Sequence, residues 1–299
     1  GGAFIRALGG HSSLPNGLSP VNGRSPYDDR NPVWISAGRE IDGPNGKVLE
    51  WTQPEILLYD DDHMVRMSYP DLVEQDGKVW VTETDKMNAR IHALDPDFLE
   101  RIFSPFDDGA ARKVEPAQHA SRHANDAWHM PLNPMPNLLE RDFQSFTCGT
   151  KDPRAGITLE FSVDGLPDEG EVLFDSRNAE GAGILLRAIS NGRIEAVLSD
   201  GRTVSSWASD SDCLDPVETN HVSVIIDGGP KLILFVINGV LCDGGDERQF
   251  GWGRYNPALR DINGASEAAV SACVSEVAIH SRALLVSECG RKSLSIHQS

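Results

Sequence analysis

Side chains able to do chemistry are most concentrated between residues 242 and 255, where Asp243, Asp246 and Glu247 stand with Arg248, Arg254, Phe250, Trp252 and Tyr255 among glycines. Clustered carboxylate oxygens suit a calcium ion, and Trp252 or Tyr255 could stack on the apolar face of a sugar. The spacing fits no EF-hand loop, and a loop packed against a neighbouring domain explains the same residues without a ligand. A second concentration is histidine: His92, His119, His123 and His129. His119 and His123 are four apart, the spacing of one helix face, yet no carboxylate completes an HExxH pattern, so they read as surface histidines. Cys148, Cys213, Cys242, Cys273 and Cys289 have no CxxC spacing. That argues against a zinc site and leaves either at most two disulfides with one thiol, or reduced buried thiols acting as small hydrophobes.

These groups must be held by a chain of 299 residues, 39% hydrophobic and 24% charged, enough for two domains with a core each. Forty-five acidic residues against 27 basic give a net charge of -18, which disfavours nucleic acid or an anionic membrane as partner. No run of 18 apolar residues is long enough to span a bilayer. Twenty-eight glycines and 18 prolines between short Val/Ile/Leu-rich runs are the punctuation of an all-β protein. The opening Gly1-Gly2-Ala3-Phe4 has no charged stretch followed by an apolar one, so no signal peptide is visible, and it reads as the interior of a longer protein.

Residues 1–105 form a first domain of hairpins. Strand candidates run through 32–36, 47–51 and 55–59, and a clearer hairpin joins 68–74 to 78–83 through Asp76-Gly77, the strongest short hairpin signal in a sequence. A strand at 89–94 and a short helix near 97–102 follow. Residues 106–154, rich in Pro, Asn, His and Asp, read as an ordered connector. From 155 to 290 apolar and polar residues alternate in short runs at 157–163, 171–176, 183–187, 193–198, 221–227, 232–238 and 274–279, with Asn191-Gly192 and Asp200-Gly201 turns. This is the pattern of a two-sheet sandwich or jelly roll, followed by a tail at 291–299.

The first domain resembles the last blades of a sialidase-type six-bladed β-propeller with Asp-box (BNR) repeats. The resemblance rests on Arg30-Asn31-Pro32-Val33-Trp34-Ile35, then Trp51-Thr52-Gln53-Pro54, Ser68-Tyr69-Pro70-Asp71-Leu72, the Asp76-Gly77 turn and Thr82-Glu83, in that order. It implies that Arg30 is one of three arginines clamping a substrate carboxylate and that Tyr69 is the nucleophile. A neutral phenol suits attack beside an anionic carboxylate, which repels a carboxylate nucleophile, and sialidases are the tyrosine exception among glycosidases. A phenol of pKa about 10 needs a neighbouring base, which in that family comes from an earlier blade, as do the acid and the other arginines. Pro70 departs from the family pattern, and Arg39 and Arg66 are rival members of the clamp. Asp71, Glu83 and a sugar-stacking Trp34 complete the substrate-binding candidates, beside plainer readings as turn, strand-end and core residues.

Residues 155–290 resemble the laminin-G/concanavalin A-like family, in which a strand such as 221–227 leads to a hairpin closing on Asn238-Gly239. The two resemblances together imply the C-terminal part of a sialidase-like exo-glycosidase acting on terminal, acidic sugars of glycans, outside the cell or in the periplasm, and inactive as this piece. The alternative is a non-catalytic carbohydrate-binding or adhesion module, or a propeller glycosidase or lyase for a different sugar. No cofactor is expected beyond the calcium that loop 242–255 admits, and the partner is a glycan or glycoconjugate.

Overall fold

The computed structural model describes residues 3–8, 30–60, 65–84, 87–107, 114–124, 126–138, 156–259 and 261–289. Cys148 and the tail 291–299 lie outside the described residues. The chain divides into two units, one of residues 1–112, 142–152 and 285–287, the other of 113–141, 153–284 and 288–299.

In the first unit β1 (Ala3–Leu8), β2 (Val33–Gly43), β3 (Gly46–Trp51) and β4 (Glu55–Leu58) form one antiparallel sheet. The long β2 pairs β1 along one edge and β3 and β4 along the other. A second sheet is the meander of β5 (Ser68–Gln75), β6 (Lys78–Thr84) and β7 (Ala89–Ala93). Asp76 and Gly77 both have positive φ (53° and 72°), the twist a two-residue hairpin requires. Helix α1 (Pro96–Phe103) follows, with Pro96 in its first turn and the Asp95 side chain accepting a hydrogen bond from the Asp97 N–H. One turn apart, Phe98 and Ile102 reach a core of Val33, Ile35, Leu57, Leu58, Met67 and Val81. The two sheets carry the expected hairpins, but they do not close into a propeller.

Residues 285–287 complete this unit. The buried Glu55 carboxylate accepts hydrogen bonds from the backbone N–H groups of Val286 (2.9 Å) and Ser287 (2.6 Å), which open a helical turn at 286–289. A carboxylate there satisfies amides that have no partner within the helix and complements its positive end.

The second unit is a β-sandwich. Its strands are β8 (Gln118–Ser121), β9 (Trp128–Pro131), β10 (Gly156–Asp164), β11 (Val172–Asp175), β12 (Ala182–Ile189), β13 (Arg193–Asp200), β14 (Val204–Ala208), β15 (Thr219–Asp227), β16 (Leu232–Ile237), β17 (Val240–Leu241), β18 (Gly253–Arg254), β19 (Glu267–Val270) and β20 (Val274–His280). One sheet has the order β17-β16-β15-β10-β20-β8, with β18 also on β16; the other is β14-β13-β12-β11-β19-β9. Inward residues of both sheets, among them Leu159, Phe161, Phe174, Ile184, Leu186, Ile194, Val224 and Phe235, form one core. Phe161 and Phe174 meet across it edge to face, with centroids 5.6 Å apart.

Residues 113–141, in the stretch that the sequence presents as a connector, belong to the sandwich: β8 pairs β20 at the edge of one sheet and β9 pairs β19 at the edge of the other. His119 therefore lies on a strand, where a spacing of four has no helical meaning.

The sheets differ in what lies outside them. On β12 and β13 buried Ile184, Leu186, Ile194 and Ala196 alternate with outward Arg187, Glu195 and Val197, the period of a half-exposed sheet. By contrast β10, β15 and β16 are buried on both faces almost throughout. On the outward side of β10 the Glu160 carboxylate is 2.7 Å from His280 Nε2 and accepts from the Ser223 hydroxyl at 3.5 Å, so a buried polar group is met by polar neighbours. Phe161→Ala should lower the unfolding free energy by about 3–5 kcal/mol, the cost of a large cavity in a packed core, as read by denaturant unfolding of the full chain.

Candidate functional site

The outward face of the six-stranded sheet meets solvent with ordered polar side chains. Arg187 on β12 stands directly opposite Glu195 on β13, and its Nε donates to Glu195 Oε2 at 2.7 Å while Nη2 lies 2.6 Å from the same oxygen. Asp175, at the end of β11, stands opposite Leu185 on the same face and takes a bidentate grip from Arg177, with Nε to Oδ1 at 2.9 Å and Nη2 to Oδ2 at 2.7 Å. Burial raises the Asp175 carboxyl, but the Arg177 side chain and backbone N–H outweigh it and hold the group below the ordinary carboxylate value. The pair therefore persists at neutral pH and is lost only as acid protonates Asp175. Both side chains remain well exposed, Arg187 at 45% and Arg177 at 39%, and each guanidinium has five N–H donors in a planar fork. His129 and Glu267, 3.8 Å apart, extend the polar surface onto β9 and β19.

Loop 242–255 is tied to its own domain rather than offered as an empty pocket. The Asp210 carboxylate accepts from the N–H groups of Asp243 (2.9 Å) and Gly244 (3.1 Å) and pairs with Arg248. Arg248 lies over the Trp207 ring at 5.0 Å and donates to the Ala208 carbonyl, while the Trp207 indole N–H donates to Gly251 O at 2.8 Å. Gly253 runs so close to Trp207 that an added Cβ would stand 2.2 Å from its ring, so only glycine fits. Trp252 is stacked on Phe250 at 4.5 Å with the Arg254 guanidinium 5.4 Å away, and Tyr255 is buried in the core. Asp243 accepts from the Gly245 N–H, and Glu247 from Ser211, with Arg193 3.6 Å away; Asp246 is exposed. Among the described residues no three His, Cys, Asp or Glu side chains converge in a way that could hold a metal ion.

In the first unit the structure brings Arg30 and Tyr69 together. Arg30 Nη1 donates to Ser68 Oγ at 2.7 Å, and its guanidinium carbon is 5.8 Å from the centre of the Tyr69 ring. Tyr69 is 77% exposed and has φ 53°, a left-handed conformation unusual for a bulky residue, at a register shift between Ser68 and Asp71. The other candidates are dispersed. Arg39 pairs with Glu50 at 2.6 Å, donates to Phe106 O and covers the Phe106 ring. Trp34 is a buried strand residue, Arg66 is half-buried, and Asp71 accepts from the Leu72 N–H. Glu83 is buried, with Arg90 and His92 on its carboxylate.

Sequence reasoning passed over Arg177, Arg187, Asp175 and Glu195. The only signal for them was the position of Arg187 and Glu195 as facing polar residues on adjacent alternating strands.

No protein-family model matches the chain, and no curated protein matches it. Among solved structures it is similar to the Ruminococcus gnavus IT-sialidase CBM40 bound to α2,3-sialyllactose, with 11% identity over 60% of this chain and 99% of that one and a TM-score of 0.38. The NanB sialidase of Streptococcus pneumoniae gives 11% identity, 60% of this chain, 28% of that one and a TM-score of 0.40. The binding domain of botulinum neurotoxin DC, in complex with rat synaptotagmin II, gives 10%, 81%, 51% and 0.35. No helix among the described residues is long and apolar enough to cross a membrane.

Asp210→Ala removes the acceptor that holds Asp243, Gly244 and Arg248. It should destabilise the sandwich by about 2 kcal/mol, the scale of hydrogen bonds to a charged group, and speed tryptic cleavage after Arg248, both measurable on the purified chain.

Proposed function

We propose that this chain is a carbohydrate-binding protein whose sandwich unit takes an acidic glycan on the open face of its six-stranded sheet. The observation that carries this reading is the asymmetry of the sandwich: the central strands of one sheet are buried on both faces, and the other sheet presents Arg177 and Arg187, each fixed by its own carboxylate, to solvent. A guanidinium already oriented by one side of its fork loses little freedom when its remaining donors meet a sugar carboxylate or a pair of hydroxyls. The natural setting would be outside the cell or in the periplasm, where such glycans are met.

The test is titration calorimetry of the full chain with acidic oligosaccharides, sialyllactose first because it is the ligand of the similar module. Arg187→Ala should weaken binding by about 10- to 100-fold, the equivalent of one charged hydrogen-bonded contact, while Trp252→Ala leaves it within about twofold. Equal affinity of Arg187→Ala and the parent chain would overturn the assignment to this face.

A second reading, glycoside hydrolysis, is favoured by one specific observation: an exposed tyrosine with a left-handed backbone beside an arginine, at Tyr69 and Arg30. Strained backbone at an exposed nucleophilic side chain is a reason to suspect chemistry. Tyr69 would attack the anomeric carbon and Arg30 would hold a carboxylate, with the acid, the base and further arginines supplied by propeller blades beyond these two sheets. The 299-residue chain alone should release no phenol from an aryl sialoside; release that Tyr69→Phe abolishes would establish catalysis in its place.

A further inference from the structure

The thiols of Cys213 and Cys242 meet at the base of loop 242–255. Cys242 is buried among the core residues, and the half-buried Cys213 packs against the same core from the turn that follows β14. One residue holds both sulfurs: the Asp210 N–H donates to Cys242 Sγ at 3.5 Å, and the Asp210 carbonyl accepts from the Cys213 thiol at 3.1 Å. Asp210 is the same residue whose carboxylate anchors Asp243, Gly244 and Arg248, so the sulfur pair sits where the loop is fastened to the sheet edge.

We propose that Cys213 and Cys242 are a reversible disulfide site that locks the loop to the sandwich. The oxidant is a small-molecule disulfide. The Cys213 thiolate attacks one of its sulfurs, forming a mixed disulfide and expelling one thiolate. Cys242 then attacks Cys213 sulfur, closing the internal disulfide and expelling the second thiolate. Two protein thiols lose two electrons and two protons, and the oxidant leaves as two thiols. The environments fit these roles: the neighbouring Cys242 thiol holds the Cys213 group below the ordinary thiol value, while Cys213 and burial together push Cys242 up. Cys273 differs, its thiol raised to about 11 by burial and turned toward Ser271.

The experiment incubates the purified chain with oxidised glutathione, alkylates the remaining thiols under denaturing conditions and maps peptides without reduction. The expected result is a peptide pair joined through Cys213 and Cys242, with an unfolding midpoint that rises by several degrees and returns when reductant is added. Recovery of both cysteines alkylated, as stable glutathione adducts, or joined to a different cysteine overturns the proposal, and a correct link without a rise in midpoint overturns its locking role. Cys213→Ser, at the more exposed of the two positions, should abolish both the link and the shift. Since Cys242→Ser disturbs the core, the decision rests on the parent chain and Cys213→Ser.

Discussion

Glu160 lies at the middle of a strand that has lost water on both sides, and much else in the sandwich follows from how it is accommodated. A carboxylate only 3% exposed is tolerable because Ser223 stands directly opposite it on β15 and His280 two residues along from its opposite number on β20, so three strands must pair correctly before Glu160 meets these partners. A slip of one residue would turn Glu160 into the apolar layer and Phe161 out of it. The central strands of that sheet are buried on both sides, whereas on the other sheet the Arg187–Glu195 and Asp175–Arg177 pairs stand on a base of buried aliphatic side chains.

In loop 242–255 a dense set of reactive side chains is bound into the domain's own structure. Its arginines, aromatics and acids largely satisfy one another: Arg248 covers Trp207, Phe250 covers Trp252, and Asp210 collects the backbone amides at its start. The result is a brace that ties the loop to Trp207, Ala208 and Asp210 at the edge formed by β14.

What could be read from sequence was whatever is decided locally. Asp76-Gly77 and Asn238-Gly239 each adopt two successive positive φ angles, as the turns of two-residue hairpins require, Asn191-Gly192 does so within a three-residue loop between paired Ile189 and Arg193, and the strands on either side follow from alternation. Strands β8 and β9 were not legible, because Gln-His-Ala-Ser and Trp-His-Met-Pro carry little pattern and their partners β20 and β19 lie well over a hundred residues away. The meeting of Arg30 with Tyr69 was anticipated through motif order rather than physics. The arginine–carboxylate pairs of the six-stranded sheet were missed because a paired surface arginine and a merely solvated one look alike until the strand partners are known.

The carboxylate of Glu55 has a consequence in time. Its two amide partners belong to residues 286 and 287, the second of them 232 positions later in the chain, although all three belong to the first unit. During synthesis at about 5–20 residues per second, Glu55 waits roughly 10–50 seconds for those amides to be made. Through that interval the first unit holds an ionisable group with no helix end to receive it, while the whole sandwich is translated. The helical turn at 286–289 is thus a late stitch in the first unit, and a nascent chain halted before it leaves Glu55 without the two amides it takes.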